Sequence, residues 1–292
     1  MEKESKGRIK TDAYWNGELS ISYDALKKIG EGDTIDITTI VPEYAAKELP
    51  RLQIFKSFLV GPSGKKQVSF FRKMFETVPE FTTELQQNNV VPIFLSTGYG
   101  VGFFSKNQID SLSDLKNKTW RTASFWHRDY LKKFGSIPVS IPWGPEVYKA
   151  FEENRLDGLM VNIDGAYQLK VYEQAPYLLT SKKLWLGHLY IVSINKNIWE
   201  RLEQIDKDAI LRAAAKSYKK LGKIMDESYK EQLVKLAEKG VKYRVLSKKE
   251  VKDFENNIQY NLIQQDWIKE QELKSVNDLN SILEKMKNML RK

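Results

Sequence analysis

One long amphipathic helix, predicted from Asp208 to Lys239, sets the scale of this fold. Apolar or small residues keep one stripe along it, and the following Gly240 is a natural C-terminal stop. The stripe consists of Ile210, Ala214, Tyr218, Leu221, Met225, Leu233 and Leu236. At 1.5 Å per residue the helix would be roughly 45–50 Å long, which exceeds one small domain. We therefore expect it to run along two lobes, with one weak point at Gly222.

Short strands and short helices alternate in the middle of the chain. Strands are predicted at 119–123, 138–141 and 156–161, with helices between them at 126–134 and from Pro145 onward. This alternation implies parallel pairing through right-handed crossovers, and therefore an α/β fold. Further strands are predicted at 8–15, 34–41, 90–95, 188–194 and 242–246. The glycine-rich segment 97–102 lacks a phosphate-binding spacing, so we interpret it as a crossing between two lobes.

The strand Thr119 to Ala123 contains one cation, Arg121, among apolar or neutral residues. An arginine that a strand holds rigidly is suited to bind a carboxylate through two parallel hydrogen bonds. The alternative is a structural ion pair. The pattern favours an anion-binding site.

Enzymatic classes find little support in the sequence. The chain has no cysteine and only two histidines, His127 and His188, so metal and acid–base constellations lack ligands. No cofactor, metal site or catalytic residue is predicted. The formal net charge of +9 raises a nucleic-acid-binding alternative, but the lysines are interleaved with acids along the whole chain, as on a solvated surface.

Five segments, in this order, resemble the solute-binding receptors of tripartite ATP-independent periplasmic (TRAP) transporters. They are GRIKTDAYWNGEL, SLSDLKNKTWRTAS, FGSIPVSIPWGPEVYKAFEENRLDG, LYIVSINKNIWERL and AEKGVKYRVLSKKEVKDF. The resemblance covers most of the chain, from about Lys6 to about Ile282. It implies a type II periplasmic-binding-protein fold, in which two α/β lobes enclose a ligand cleft and a long helix spans both.

The resemblance also implies a domain division and a function. Lobe I would comprise residues 1–98 and 187–230, and lobe II residues 99–186 and 231–292. The protein would be a periplasmic, monomeric receptor that passes a small organic acid to TRAP membrane subunits, without binding nucleic acid. A receptor of another importer or a sensor is the alternative.

The family's motif arginine, which forms a salt bridge with the ligand carboxylate, falls on Arg121. Five more residues are candidates for ligand contact: Tyr44, Tyr99, Trp143, Asn162 and Trp185. Packing is the alternative for the four aromatic residues. His188 is interpreted as structural.

Three departures from the family pattern qualify these expectations. The strand and helix that precede the GRI segment in the family are absent, and so is a signal peptide, so we expect lobe I to lack its first strand and helix. Gly102 or Phe103 stands where sialic-acid-binding members carry a second arginine, which argues against that substrate. Val161 occupies the position of their asparagine, and Asn162 is displaced by one.

Overall fold

The computed structural model describes residues 1–15, 17–98, 100–141, 143–185 and 187–291. The strands are β1 (Ile37–Ile40), β2 (Val90–Thr97), β3 (Val101–Ser105), β4 (Thr119–Thr122), β5 (Ile137–Ser140), β6 (Gly158–Asn162), β7 (Tyr177–Ser181), β8 (Leu189–Asn195) and β9 (Lys242–Val245). The α-helices are α1 (Ala25–Glu31), α2 (Gly64–Thr77), α3 (Glu80–Gln87), α4 (Phe125–Phe134), α5 (Pro145–Glu152), α6 (Ile163–Gln168), α7 (Lys196–Arg201), α8 (Gln204–Glu238), α9 (Lys248–Ile258), α10 (Tyr260–Glu272) and α11 (Leu279–Leu290). Short 3-10 helices cover Pro42–Ala45, Arg51–Lys56, Leu112–Leu115 and Val171–Glu173.

The smaller sheet has the order β1-β8-β2, and both pairings are antiparallel. Its central strand β8 is rich in β-branched and aliphatic residues, which pack well on a buried pleated surface. Ile191 of β8 and Val90 of β2 are fully buried, and Ile40 of β1 is only 1% exposed. This sheet therefore carries the core of one half of the molecule.

The larger sheet has the order β5-β4-β6-β3-β7-β9. β4 lies parallel to β5 and β6, and the connections run through α4 and α5, which confirms the α/β pattern predicted from the sequence. β3 is antiparallel to both of its neighbours, so the sheet is mixed. Three connections between described strands pass from one sheet to the other: β2 to β3, β7 to β8, and β8 to β9 through α7 and α8. The first contains the glycine-rich segment, which confirms its interpretation as a crossing.

Helix α8 is longer than predicted, with 35 residues, and at 1.5 Å per residue it is about 50 Å long. It contacts α2 and β2 beside the smaller sheet and α6 and β9 beside the larger one. The prediction that one helix spans both halves is confirmed.

Gly222 is not a weak point of α8. The helix continues through it, and a Cβ at this position would lie 2.5 Å from the Cα of Lys65, at the start of α2. Glycine is therefore required here because the two helix backbones approach too closely for a side chain.

The prediction of a strand at Arg8–Trp15 is wrong. This segment has no strand conformation, and its aromatic residues Tyr14 and Trp15 are 57% and 69% exposed. The guanidinium of Arg8 instead binds the carboxylate of Asp206 at the start of α8. A strand is stable only when a neighbour pairs with it, and no described strand pairs with this segment.

No α-helix in the described ranges combines the length and the apolar character that crossing a membrane requires.

Candidate functional site

Arg121 lies on β4, in the interior of the larger sheet, and its side chain is only 2% exposed. Its Nε donates a hydrogen bond to the carbonyl oxygen of Ile141 at 2.9 Å, and this bond fixes the guanidinium plane. Its Nη2 is buried and has no hydrogen-bond partner in the part of the chain that the structure describes. Burial lowers the pKa of Arg121 from its ordinary value, because the charged form loses hydration. The buried cation thus retains an unused donor, which suits an anionic ligand.

Trp143 contacts the guanidinium from the loop before α5. The guanidinium carbon of Arg121 is 5.3 Å from the centroid of the Trp143 ring, within the range of a cation–π interaction. A Cβ on Gly165, in the first turn of α6, would lie 3.3 Å from Cζ2 of the same ring. The indole therefore packs against both Arg121 and the start of α6.

Asn162 ends β6 and approaches the smaller sheet. Its Nδ2 lies 3.5 Å from the hydroxyl oxygen of Tyr190 on β8, and that hydroxyl is 3.0 Å from Nδ1 of His188. Burial places the pKa of His188 well below its ordinary value, so the imidazole is neutral. These contacts mark a polar junction between the two sheets.

The phenol of Tyr44 also lies within electrostatic reach of Arg121. It belongs to the 3-10 helix that follows β1, and its ring centroid is 4.3 Å from that of Tyr23. Burial raises the pKa of both hydroxyls, and the positive charge of Arg121 opposes that rise at each of them. Both phenols are therefore within electrostatic reach of the guanidinium, although they follow different elements of the chain.

A buried ion pair, which the sequence reasoning missed, lies next to these tyrosines. The side chains of Glu43 and Lys56 are 7% and 6% exposed, and their charged groups are in direct contact. Gln53 donates to the carbonyl oxygen of Pro42 at 2.8 Å, which joins the two 3-10 helices that carry the pair. Burial lowers the pKa of Lys56, while the charge of Glu43 raises it.

Helix α4 connects the strand of Arg121 to the 3-10 helix of Lys56. The indole of Trp126 donates to the carbonyl oxygen of Gln53 at 3.0 Å, and the hydroxyl of Tyr130 donates to that of Ser57 at 2.7 Å. The βα unit that follows Arg121 is thus bonded to the segment bearing the buried lysine. These two bonds join α4 to the segment that carries Lys56.

Asp164 is a further acid, partly buried, that the sequence reasoning did not select. It lies in the first turn of α6, and its Oδ1 is buried without a hydrogen-bond partner among the described residues. Burial raises the pKa of Asp164 to about 6, and its charge also acts on the Tyr190 hydroxyl. No sequence motif distinguished it from the other acids of the chain.

The remaining two predicted site residues are placed differently. Trp185 is 3% exposed and packs among aromatic rings of α2, with the ring centroid of Phe71 at 5.8 Å. It lines a small cavity of about 30 Å³, together with His188 and Tyr229. Tyr99 lies outside the described residues. Arg121 thus contacts Trp143 and lies within electrostatic reach of Tyr44, whereas Asn162 is linked to His188 through Tyr190 and Trp185 lines a cavity beside His188.

Two large open grooves lie elsewhere on the surface. One, of about 1300 Å³, runs between α4 and α10, and the other, of about 990 Å³, runs along α2 and α11. Arg121 lines neither. We place the candidate site at the unpaired buried cation, because an unused charged donor indicates a ligand more specifically than groove volume does.

The chemistry of this group is that of binding. It offers one free cationic donor, an indole face, an amide and two phenols, which suit a carboxylate attached to a planar or partly apolar body.

Comparison with known proteins agrees with this description. The sequence model of the family described as "Bacterial extracellular solute-binding protein, family 7" matches residues 1–267. A curated relative is the sialic acid-binding periplasmic protein of Vibrio cholerae serotype O1, which is 25% identical over 222 residues. That match covers 74% of this chain and 66% of the relative, so the chain spans just under two thirds of its length.

Solved structures of TRAP solute-binding proteins share the fold. A Bordetella pertussis extracytoplasmic solute receptor that binds pyroglutamic acid superposes with a TM-score of 0.79, at 18% identity, over 100% of this chain and 91% of its own. A TRAP solute-binding protein of an unidentified marine microbe, in complex with metahydroxyphenylacetate, superposes with a TM-score of 0.85, at 18% identity, over 99% of this chain and 90% of its own. The fold is therefore the two-lobe periplasmic-binding fold that the sequence predicted.

Proposed function

Because the chain belongs to the bacterial extracellular solute-binding protein family 7, we propose that it is the receptor of a TRAP transporter. In this proposal it binds a small organic acid between its lobes and delivers it to the membrane subunits of the transporter in the periplasm. It performs no chemistry on the ligand. The family is extracytoplasmic, which supports this location.

The observation that carries the proposal is the unused Nη2 of Arg121. A buried cationic donor without a partner is costly, and a carboxylate that accepts from it removes that cost. We propose that Trp143, Asn162 and Tyr44 complete the contacts around the bound acid. The roles of Tyr99 and Trp185 in ligand binding stay predictions.

The lobes we propose are 1–98 with 187–230 and 99–186 with 231–292, as the crossings of the chain suggest. Tyr44 follows β1 of the smaller sheet, whereas Arg121 lies on β4 of the larger sheet and Trp143 follows β5. A ligand that contacts Tyr44 of one lobe and also Arg121 and Trp143 of the other gains the full set of contacts only when the lobes close. Binding would therefore shift the population toward the closed state.

The ligand class we propose is a monocarboxylate. Lys56 is already paired with Glu43, which leaves Arg121 as the free cation of the group. Structural relatives bind pyroglutamic acid and metahydroxyphenylacetate, which are both small acids with a single carboxylate. Sialic acid fits less well, because Gly102 and Phe103 of β3 are buried and provide no second cation.

The test is a thermal-shift screen of small organic acids, followed by isothermal titration calorimetry with the tightest acid. We expect Arg121→Ala to weaken binding at least about 100-fold, equivalent to about 2.8 kcal/mol, because the charge-assisted contact is lost. Arg121→Lys should recover only part of the affinity, since an ammonium cannot bind a carboxylate through a planar fork.

Arg155→Ala serves as the matched control, because Arg155 lies on the surface of the same half and pairs only with exposed acids. We expect Arg155→Ala to bind the same acid with the affinity of the wild-type protein. If Arg121→Ala keeps its affinity within about threefold while remaining folded by circular dichroism, the proposed role of Arg121 is wrong.

A further inference from the structure

Helix α8 contains an uninterrupted run of positive charge. Between Asp208 and Asp226 it has cations but no acid, whereas lysines and acids are interleaved along the rest of the chain. The cations of this run, all exposed, are Arg212, Lys216, Lys219, Lys220 and Lys223. At 3.6 residues per turn they fall within an arc of about 100° on one side of the helix. The run is therefore a stripe on the surface of α8.

Helix α2 extends this stripe sideways. Its own cations, all exposed, are Lys65, Lys66, Arg72 and Lys73, and its one acid is Glu76. The guanidinium carbon of Arg72 is 4.4 Å from the centroid of the Tyr218 ring of α8. A Cβ on Gly222 would lie 2.5 Å from the Cα of Lys65, so the two helices are in backbone contact. The cations of α2 and of the α8 stripe thus form one surface, which we call the basic face.

Acids of the protein neutralise only part of the basic face. Nζ of Lys216 is 2.6 Å from Oε1 of Glu4, and Nζ of Lys223 is 3.6 Å from Oε1 of Glu227. Within the part of the chain that the structure describes, the other cations of the basic face form no ion pair. Like charges that are not matched within the molecule produce a positive potential that attracts an anionic partner.

The composition of the basic face favours a lipid surface over a protein partner. Its cations are lysines except for Arg72 and Arg212. Lysine is depleted at protein–protein interfaces, whose binding energy comes mainly from buried aromatic and arginine anchors. Clusters of lysine and arginine on an amphipathic helix are instead typical of segments that bind anionic lipid headgroups. The family is extracellular, which makes headgroups a more accessible polyanion than nucleic acid.

We propose that the basic face binds the surface of an anionic bilayer through its phospholipid headgroups. The face lies on α2 and α8 beside the smaller sheet, whereas Arg121 of the candidate site lies on β4 of the larger one. The smaller-sheet half of the molecule is then held at the membrane, whether or not a ligand occupies the candidate site. This inference does not depend on the identity of the ligand.

Cosedimentation of the whole chain with vesicles tests this inference. One set of vesicles contains phosphatidylcholine with about 40% phosphatidylglycerol, and the other contains phosphatidylcholine alone. We expect binding to the anionic vesicles at about 50 mM salt and release at about 500 mM, because salt screens exposed charges. We expect no binding to the neutral vesicles.

A matched pair of variants assigns the binding to the basic face. Lys219→Gln with Lys220→Gln removes two exposed lysines and should weaken binding to anionic vesicles about 25-fold, at roughly fivefold for each lysine near the surface. The control is Lys132→Gln with Lys133→Gln, two exposed neighbouring lysines in the last turn of α4. The control lowers the net charge by the same amount, but we expect its affinity for the vesicles to stay within about twofold of the wild type.

Three results would overturn the inference. The first is a wild-type protein that stays in the supernatant with anionic vesicles at low salt, as expected if the face is merely solvated or binds an acidic protein. The second is an equal loss of binding in the two double variants, which would indicate an effect of net charge alone. The third is equal binding to neutral vesicles. None of these results bears on acid binding at Arg121, so the proposed function is tested separately.

Discussion

Removal of Glu43 from its buried pair with Lys56 is the sharpest test of how this cleft is built. In Glu43→Gln the side chain keeps its size and an acceptor oxygen but loses its charge. Lys56, whose side chain is 6% exposed, then remains as an uncompensated buried cation. Desolvation already lowers its pKa in the intact pair, and without Glu43 that pKa must fall further.

The magnitude follows from the burial of both partners. Loss of one member of a buried ion pair typically costs about 3–5 kcal/mol of unfolding free energy. This is a large share of the roughly 5–15 kcal/mol that stabilises a typical protein. The exposed pair Lys182 and Asp226, with side chains 37% and 46% exposed, provides the comparison. Its disruption in Asp226→Asn should cost about 0–1 kcal/mol.

The assay is urea unfolding of both variants, followed by circular dichroism at pH 7 and again at pH 10. The folded-state pKa of Lys56 is depressed, so the unfolded chain binds more protons and stability rises with pH toward the ordinary value of 10.5. The loss in Glu43→Gln should therefore shrink at pH 10. The double variant Glu43→Gln with Lys56→Met should recover most of the lost unfolding free energy at pH 7, because no buried charge remains.

Three results would refute this reasoning. They are a loss in Glu43→Gln no larger than that in Asp226→Asn, a loss that grows between pH 7 and pH 10, and a double variant less stable than Glu43→Gln alone.

Two further predictions concern buried positions outside the ion pair. Burial holds the pKa values of His127 and His188 well below 6.5, so the unfolded chain takes up protons first and the unfolding free energy falls as the pH drops below that value. His127→Phe should flatten that pH dependence by up to about 1.4 kcal/mol per pH unit, measured by urea unfolding between pH 7 and pH 5; an unchanged slope would contradict a neutral buried imidazole. Gly222→Ala should destabilise the protein by about 1–3 kcal/mol, because the added Cβ meets the backbone of Lys65. If helix propensity alone decided the effect, thermal unfolding would instead show a gain of about 1 kcal/mol.

Local pattern was sufficient for most elements of the fold. Helix α8 and strands β4 to β6 follow from hydrophobic periodicity and from the alternation of strands and helices. The pattern Ser247-x-x-Glu250 likewise indicates the start of α9, where the structure contains the reciprocal hydrogen bonds of a capping box. Strand β7 was not predicted, although its residues Tyr177–Ser181 are mostly apolar, because a short apolar run has no distinctive period. The strand predicted at Arg8–Trp15 failed because strand formation depends on a partner, which local sequence does not specify.

The candidate site was predictable only where one residue stood out from its neighbours. Arg121 did so, as a single cation in an apolar strand. The pairing of Glu43 with Lys56 depends on a contact between two separate 3-10 helices, and each is one charged residue among many. Tyr23 likewise gains significance only through the fold, which stacks its ring on that of Tyr44.

The hydrogen bond from Nε of Arg121 to the carbonyl oxygen of Ile141 has a thermodynamic consequence for any anion that binds here. A free arginine side chain loses about 2 kcal/mol of rotamer entropy when it is immobilised. In this protein that loss occurs during folding, when the strand and the carbonyl fix the guanidinium. Association of the ligand therefore avoids that cost, and the direction from which a carboxylate must approach is set before the ligand arrives.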